Sequence, residues 1–259
     1  MLRHICIRRG HYSGEINVTV VVRRSVPELK GLAKELSTRF PDIKGITANI
    51  NKDKTNVIYG DEEADLFGER TITDTMLGKS FSISPKSFYQ VNTPMAEKLY
   101  ALAGSLAEPE GKNIIDLYCG AGTIGLTMAD KAKSVIGVEI VESAVENAKI
   151  NKKLNNADNA EFYCGDAGKI TDVLREKGVK ADVVIVDPAR KGCDERTLNN
   201  IKTFDPERIV MVSCNPATAA RDCKYLETLG YRTVSVQAAD LFSRTVHVEC
   251  VVLLVRAEV

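Results

Sequence analysis

The chain has 259 residues, 44% of them hydrophobic, enough for one large domain or a domain with an appendage, and no apolar run reaches membrane-spanning length. Lysine plus arginine balance aspartate plus glutamate at 35 each, so no net field marks a nucleic-acid or membrane surface, and any such contact must come from local patches. The seven cysteines, at 6, 119, 164, 193, 214, 223 and 250, are scattered without a C-x-x-C pair, which leaves no metal or iron–sulfur framework; cytosolic thiols and a cytoplasmic protein are the expectation.

Residues 15–23 alternate, with Ile16, Val18, Val20 and Val22 on one face, which predicts a half-buried strand whose partner lies downstream. Pro27 opens a helix with Leu29, Leu32, Ala33, Leu36 and Phe40 at helical spacing, and Pro41 ends it. Ile46, Ala48 and Ile50 alternate, 51–54 turn, and Val57-Ile58-Tyr59 returns as the second arm of a hairpin. The turns at 60–63 and Gly68 follow, so residues 1–74 read as a small α+β domain and 75–259 as a second domain. There, Thr93-Pro94 predicts a capped helix burying Met95, Leu99, Leu102 and Leu106.

From here strands and helices alternate, with strands at 114–117, 134–138, 161–164, 182–186 and 208–213, which predicts a parallel sheet with helices on both faces. Between strands at 233–238 and 248–255 the connection is too short for a parallel crossover, so the last strand should run antiparallel. The strand at 114–117 leads through Asp116-Leu117 into Tyr118-Cys119-Gly120-Ala121-Gly122-Thr123, a glycine turn opening a helix near Thr123. Its spacing Gly120, Gly122, Gly125 also fits a dinucleotide loop. Asp116 inside the strand and the antiparallel finish instead favour S-adenosylmethionine and a class I methyltransferase sheet, a Rossmann-like α/β fold of seven strands.

In such sheets the ligand lies at the carboxyl ends of the strands, and each end here carries an acid or a reactive group. Glu139 lies 23 residues after Asp116 and suits the hydroxyls of a ribose, or is a helix-start acid. Asp166 suits an adenine amino group, or caps a helix. Asp187-Pro188-Ala189-Arg190-Lys191-Gly192 offers a carboxylate for a base edge and cations for phosphate, or a solvated loop pair. Cys214 in Ser213-Cys214-Asn215-Pro216 stands at a strand end beside Arg190 and Lys191, which would favour its thiolate; Cys6, Cys164 and Cys250 read as inert packing. His247 and Glu249 reach the mouth of the last strand, where a glutamate in an apolar run needs a partner or work.

Together Phe88-Tyr89-Gln90-Val91-Asn92, the Asp116 to Gly120 run, Asp187 to Gly192, Ser213 to Pro216 and His247-Val248-Glu249 resemble the RNA uracil-5 methyltransferase family, from about Phe81 to the C-terminus, with residues 1–74 like its smaller, RNA-contacting central domain. The resemblance implies Cys214 as the nucleophile on uracil C6 and Glu249 as the base at C5. It implies Gln90, Tyr118, Gly120, Gly122, Thr123, Glu139, Asp166 and Asp187 for S-adenosylmethionine, and Phe88, Asp187 and Arg190 for the RNA. It departs from the family in lacking an N-terminal β-barrel and in Arg244, where many members carry histidine. Ala121, Thr123 and the last motifs look most like members acting on 23S ribosomal RNA, with transfer RNA as the alternative. The implied partner is RNA, without membrane, metal or iron–sulfur cluster, and the implied state a monomer. Rival readings are a nicotinamide-dependent oxidoreductase, which leaves Cys214 and Glu249 idle, a DNA or free-base pyrimidine methyltransferase, and a non-catalytic RNA-binding module.

Overall fold

The computed structural model describes residues 2–24, 27–54 and 56–257. The chain divides into two compact units, one of residues 1–75 with 80–88 and one of residues 76–79 with 89–259.

The first unit rests on a sheet in the order β1 (Leu2–Arg9), β2 (Ile16–Val22), β3 (Ile43–Ile50), β4 (Glu62–Gly68). The outer pairs are antiparallel, and β2 and β3 are parallel across helix α1 (Glu28–Arg39). Val18, Val20, Val22, Ile46 and Ala48 bury one face with Leu29 and Ala33 of α1, while Leu32 and Phe40 stay exposed. β2 is buried on its second face too, where half-burial is the sequence expectation. That face carries Asn17, Thr19 and Val21, and Asn17 Nδ2 donates to the Arg70 carbonyl at 2.9 Å, so polar side chains are buried with partners.

Residues 57–59 form no strand, contrary to the hairpin the sequence suggests. Asn51 Nδ2 donates to the carbonyls of Val57 (2.9 Å) and Ile58 (3.0 Å), holding this stretch as a loop, and the return strand is β4. The two strands of this sheet that alternation misses, β1 and β4, are its edges and rich in charge (Arg3, Arg8, Arg9; Glu62, Glu63, Asp65), which guards an edge but erases the apolar pattern. β2 accordingly has a partner upstream as well as downstream. The buried Asp74 carboxylate accepts from the N–H groups of His11 (2.7 Å), Tyr12 (2.9 Å) and Ser13 (3.2 Å), pinning the β1–β2 turn. β5 (Ile72–Met76) and β6 (Lys79–Ile83) pair as a separate ribbon.

In the second unit, α2 (Thr93–Ala107) is followed by β7 (Asn113–Leu117), α3 (Thr123–Met128), β8 (Ser134–Glu139), α4 (Glu142–Leu154), β9 (Ala160–Cys164), α5 (Ala167–Glu176), β10 (Val183–Val186), α6 (Glu195–Phe204), β11 (Arg208–Ser213), α7 (Pro216–Thr228), β12 (Tyr231–Ala239) and β13 (Glu249–Arg256). The seven strands lie in the order β12-β13-β11-β10-β7-β8-β9. Strands β11 to β9 are parallel neighbours, and β13 runs antiparallel between β11 and β12, as the short final connection requires. Ile115, Leu117, Val184, Val186, Ile209 and Met211 form the centre of one core layer.

Helix α2 differs in two details. Its cap is Asn92, whose Oδ1 accepts from the Met95 N–H, one residue before the expected Thr93. Its buried face is Ala96, Leu99, Tyr100, Ala103 and Ala107, so Met95, Leu102 and Leu106 lie at the margins and Tyr100 points into the unit.

Candidate active site

The register sets the site. The five parallel strands end at Leu117, Glu139, Cys164, Val186 and Ser213, while β13 starts at Glu249 and pairs Cys250 with Ser213, so its first residue reaches the same edge. Ser213 pairs with Cys250, so Cys214, the residue that follows β11, and Glu249, the first residue of β13, come close at the strand ends, near enough for the glutamate's charge to act on the thiol. Pairing β13 with β11 therefore brings together two residues far apart in the chain.

The glycine loop follows β7. Tyr118 (φ 64°), Gly120 (φ 54°) and Gly122 (φ 78°) are left-handed, a conformation that strains a tyrosine by about 1–3 kcal/mol. The Tyr118 ring packs on the core and its hydroxyl donates to Thr197 Oγ1 at 3.5 Å. A Cβ on Gly120 would meet nothing within 4 Å, so this glycine faces open space. Gly122 has a different reason from the one the sequence suggests: its Cβ would stand 2.8 Å from the Phe162 ring, so it makes room for the protein's own side chain. Thr123 is the buried first residue of α3. Asn151, fully buried on α4, donates from Nδ2 to the Ala121 carbonyl at 3.0 Å and ties the loop down.

Around this loop stand the acids. Glu139 accepts from the N–H groups of Gly120 (3.1 Å) and Val141 (2.9 Å), which orients its carboxylate while leaving lone pairs for a ligand's hydroxyls. Asp166 caps α5, accepting from the Lys169 N–H at 3.1 Å. Asp116, 1% exposed, accepts from the Gly125 N–H at 2.9 Å through Oδ2, and its Oδ1 has no hydrogen-bond partner among the described residues. Burial pushes its pKa up to about 7, with a smaller push from Glu139. Asp187 rises to about 8, first through desolvation and then through the charges of Asp116 and Glu249. Glu249, 6% exposed, is also raised by burial, against the pull of Arg190.

Cys214 is half-buried beside these groups. The expectation of a favoured thiolate does not hold: burial raises the thiol's pKa, Glu249 and Asp187 raise it further, and Arg190 alone among the named charges opposes them. Arg190 is placed from two sides. Its carbonyl accepts from Asn215 Nδ2 (3.0 Å) and Thr218 Oγ1 (3.3 Å), and its Nη2 lies 3.0 Å from His247 Nδ1. The rest of that loop is held by α7, where the buried Asp222 accepts from the Cys193 N–H (2.7 Å) and Arg221 donates to the Lys191 carbonyl (3.0 Å).

Of the other cysteines, Cys250 is buried as expected, whereas Cys164 is exposed, its Sγ 3.7 Å from the Ile140 carbonyl, because β9 is the sheet's edge. Gln90 is buried in the second unit, and Phe88 is the last residue of the first, 70% exposed. Sequence reading missed Tyr100. Its hydroxyl bonds with Gln90; burial first, and then the charges of Asp187, Asp116 and Glu249, hold its proton on against the pull of that bond. The only sequence signal is Tyr100 following Leu99 on the helix's buried side, and without the fold that reads as packing.

The open space at Gly120, the unpartnered Asp116 oxygen, the oriented Glu139 and the gathering of carboxyls that a cation would help to ionise suit a ligand with hydroxyls and a cationic centre. With the seven-stranded order and its antiparallel β13, they define an S-adenosylmethionine-dependent methyltransferase fold. Within that class the chain belongs to the tRNA (uracil-5-)-methyltransferase family, which it matches over residues 12–257. It is similar to a Bacillus cereus protein described as an uncharacterized RNA methyltransferase, 48% identical over 259 residues, covering 99% of this chain and 56% of that one. A Streptococcus mutans protein of the same description is 46% identical, covering 99% and 57%. Among solved structures it is similar to the Pyrococcus abyssi tRNA (uracil-54, C5)-methyltransferase in complex with S-adenosyl-L-homocysteine, at 34% identity and a TM-score of 0.83, covering 98% of this chain and 60% of that one. The chain spans little more than half the length of the curated relatives it matches.

Proposed function

We propose that this chain carries the catalytic part of an RNA methyltransferase that methylates C5 of a uridine through a covalent bond between Cys214 and C6 of the base. The observation that carries the reading is the meeting of Cys214 and Glu249 at the strand ends, with Asp187 and Arg190 close enough to act on the thiol.

Uracil C5 is a poor nucleophile, and a thiolate adding at C6 makes it a good one. Addition forms the Sγ–C6 bond and moves the C5–C6 π pair onto C5 and the O4 carbonyl. Asp187 faces the polar edge of the base: protonated it donates to a carbonyl oxygen, ionised it accepts from N3–H. The Arg190 charge favours the thiolate and helps seat the substrate. Once C5 carries the methyl group, the Glu249 carboxylate removes the remaining C5 proton, the electron pair re-forms the double bond, and the C6–Sγ bond breaks to return the thiolate.

Bound S-adenosylmethionine supplies a methyl group activated by its sulfonium charge. Glu139 would take its ribose hydroxyls and Asp166 its adenine amino group, with Gln90, Tyr118, Gly120, Gly122, Thr123 and Asp187 completing the cofactor side. Phe88 offers an exposed ring on which a base can stack.

Large-subunit ribosomal RNA is the first substrate to try, on the motif wording around Ala121 and Thr123. Transfer RNA is the second reading, favoured by the 34% identity to the Pyrococcus abyssi tRNA enzyme.

The test incubates the protein with labelled S-adenosylmethionine and 5-fluorouridine-containing transcripts of both RNAs. Fluorine at C5 cannot leave as a proton, so a denaturation-resistant protein–RNA adduct is expected, absent in Cys214→Ala. Undiminished methyl transfer by Cys214→Ala on ordinary RNA would overturn the mechanism.

A further inference from the structure

We propose that His247 is a positioning residue: it holds the Arg190 guanidinium beside Cys214 and Glu249 and thereby sets the reactivity of the Cys214 thiol. The proposal rests on reading Cys214 as the nucleophile.

Arg190 Nη2 lies 3.0 Å from His247 Nδ1. A guanidinium has donors only, so Nδ1 must offer its lone pair and the ring proton of the neutral imidazole belongs on Nε2. The imidazole is itself fixed. Phe242 meets it edge-on, with centroids 6.4 Å apart and planes at 84°. The His247 backbone N–H donates to Thr245 Oγ1 at 3.2 Å, and Thr245 closes a turn onto the Phe242 carbonyl through its N–H (3.1 Å) and Oγ1 (2.7 Å). Arg244, at φ 68°, shapes that turn.

The other end of the arrangement is equally fixed. Asn215 and Thr218, just after Cys214, grip the Arg190 carbonyl, so the arginine's main chain cannot drift from the thiol. Its exposed side chain would otherwise sample many rotamers, and its charge would be averaged into solvent. The charges facing Cys214 are Glu249 on β13 and Asp187 and Arg190 on the loop after β10. Two of these oppose ionisation of the thiol, and Arg190 favours it. Holding that one cation in place is what His247 contributes.

The experiment measures iodoacetamide alkylation of Cys214 from pH 6 to 9.5, without RNA or cofactor, reading the Cys214 peptide by mass spectrometry. His247→Phe keeps a ring against Phe242 and removes the acceptor; His247→Asn restores an acceptor oxygen at the δ1 position. Expected for His247→Phe is alkylation slower by about three- to tenfold at pH 7.5, the range one hydrogen bond is worth, with the midpoint of the pH profile moved upward. His247→Asn should recover most of the rate, and Arg190→Ala combined with His247→Phe should be no slower than Arg190→Ala alone. A wild-type rate and profile in His247→Phe, with an unchanged unfolding temperature, overturns the proposal. So does a double variant that slows by the full product of the two single effects. The adduct experiment above reads Cys214 itself, so failure of this inference and failure of the mechanism are distinguishable.

Discussion

The geometry of the glycine loop depends on Gly137, through Phe162. This glycine lies on β8, in register with Asp116 on β7 and Phe162 on β9, and its φ is not left-handed, so an alanine there would suffer no backbone strain. The difficulty is space: an added Cβ would stand 2.6 Å from Phe162 Cε1 and 2.8 Å from Cys119 Sγ. Phe162 is also the ring that the missing Cβ of Gly122 makes room for, so displacing it pushes on the glycine loop from below. Overpacking of this kind costs about 1–3 kcal/mol, and the reduced freedom of the unfolded chain returns about 0.4–1 kcal/mol. The net loss for Gly137→Ala is therefore up to about 2.6 kcal/mol, a fall in Tm of up to roughly 10 °C for a domain of this size, with S-adenosylmethionine binding weakened about tenfold. Scanning fluorimetry reads the first and titration calorimetry the second. In a Phe162→Ala background the clash with the ring disappears and only the approach to Cys119 Sγ remains, so adding Gly137→Ala should then cost clearly less than it does in the wild type. Wild-type Tm and cofactor affinity in Gly137→Ala, or the same penalty in both backgrounds, would refute the reasoning.

Asp116 and Asp187, raised to about 7 and about 8, stay protonated in the fold at pH values where the unfolded chain, with ordinary carboxyls near 3.9, has released those protons. The native state binds more protons between these limits, so its stability is greatest at the acid end and falls as pH rises toward 8, by up to about 1.4 kcal/mol per pH unit per group. Tm of the ligand-free protein should thus decline from pH 5 to 8, and Asp116→Asn, whose Oδ1 still accepts from Gly125, should flatten the decline; a Tm that rises over this range contradicts it. Phe88→Ala should weaken RNA binding about five- to hundredfold, as loss of one base-stacking contact does, and leave cofactor affinity unchanged. A parallel loss of cofactor affinity would mean that Phe88 acts through the fold. Glu249→Gln keeps the shape but not the base, so on ordinary RNA it should accumulate the covalent adduct that the wild type resolves; free methylated product without adduct would remove Glu249 from the proton step.

Much of this protein is legible in local pattern. The five parallel strands, their helices and the glycine turn follow from apolar runs, caps and spacing, which depend on near neighbours only, and the short last connection determined that β13 is antiparallel. The residues at the strand ends, from Glu139 to Cys214 and Glu249, are likewise visible, because a charged or reactive group beside an apolar run stands out against its surroundings. Non-local pairing decided the rest. β1 and β4 are strands because β2 and β3 offer edges to them, and 57–59 is a loop because Asn51 takes its carbonyls. Gly122 serves Phe162, forty residues on, and Tyr100 turns from a packing residue into a neighbour of three acids only when α2 is laid on the sheet. The ionisation of Cys214 shows the difference most clearly: sequence places two cations near it, whereas burial and the carboxyls of Glu249 and Asp187, which only the tertiary structure brings close, outweigh the one that matters. Alternation and spacing are short-range properties of a chain, but desolvation and Coulomb interaction depend on what surrounds a group in three dimensions, and that is set by the fold.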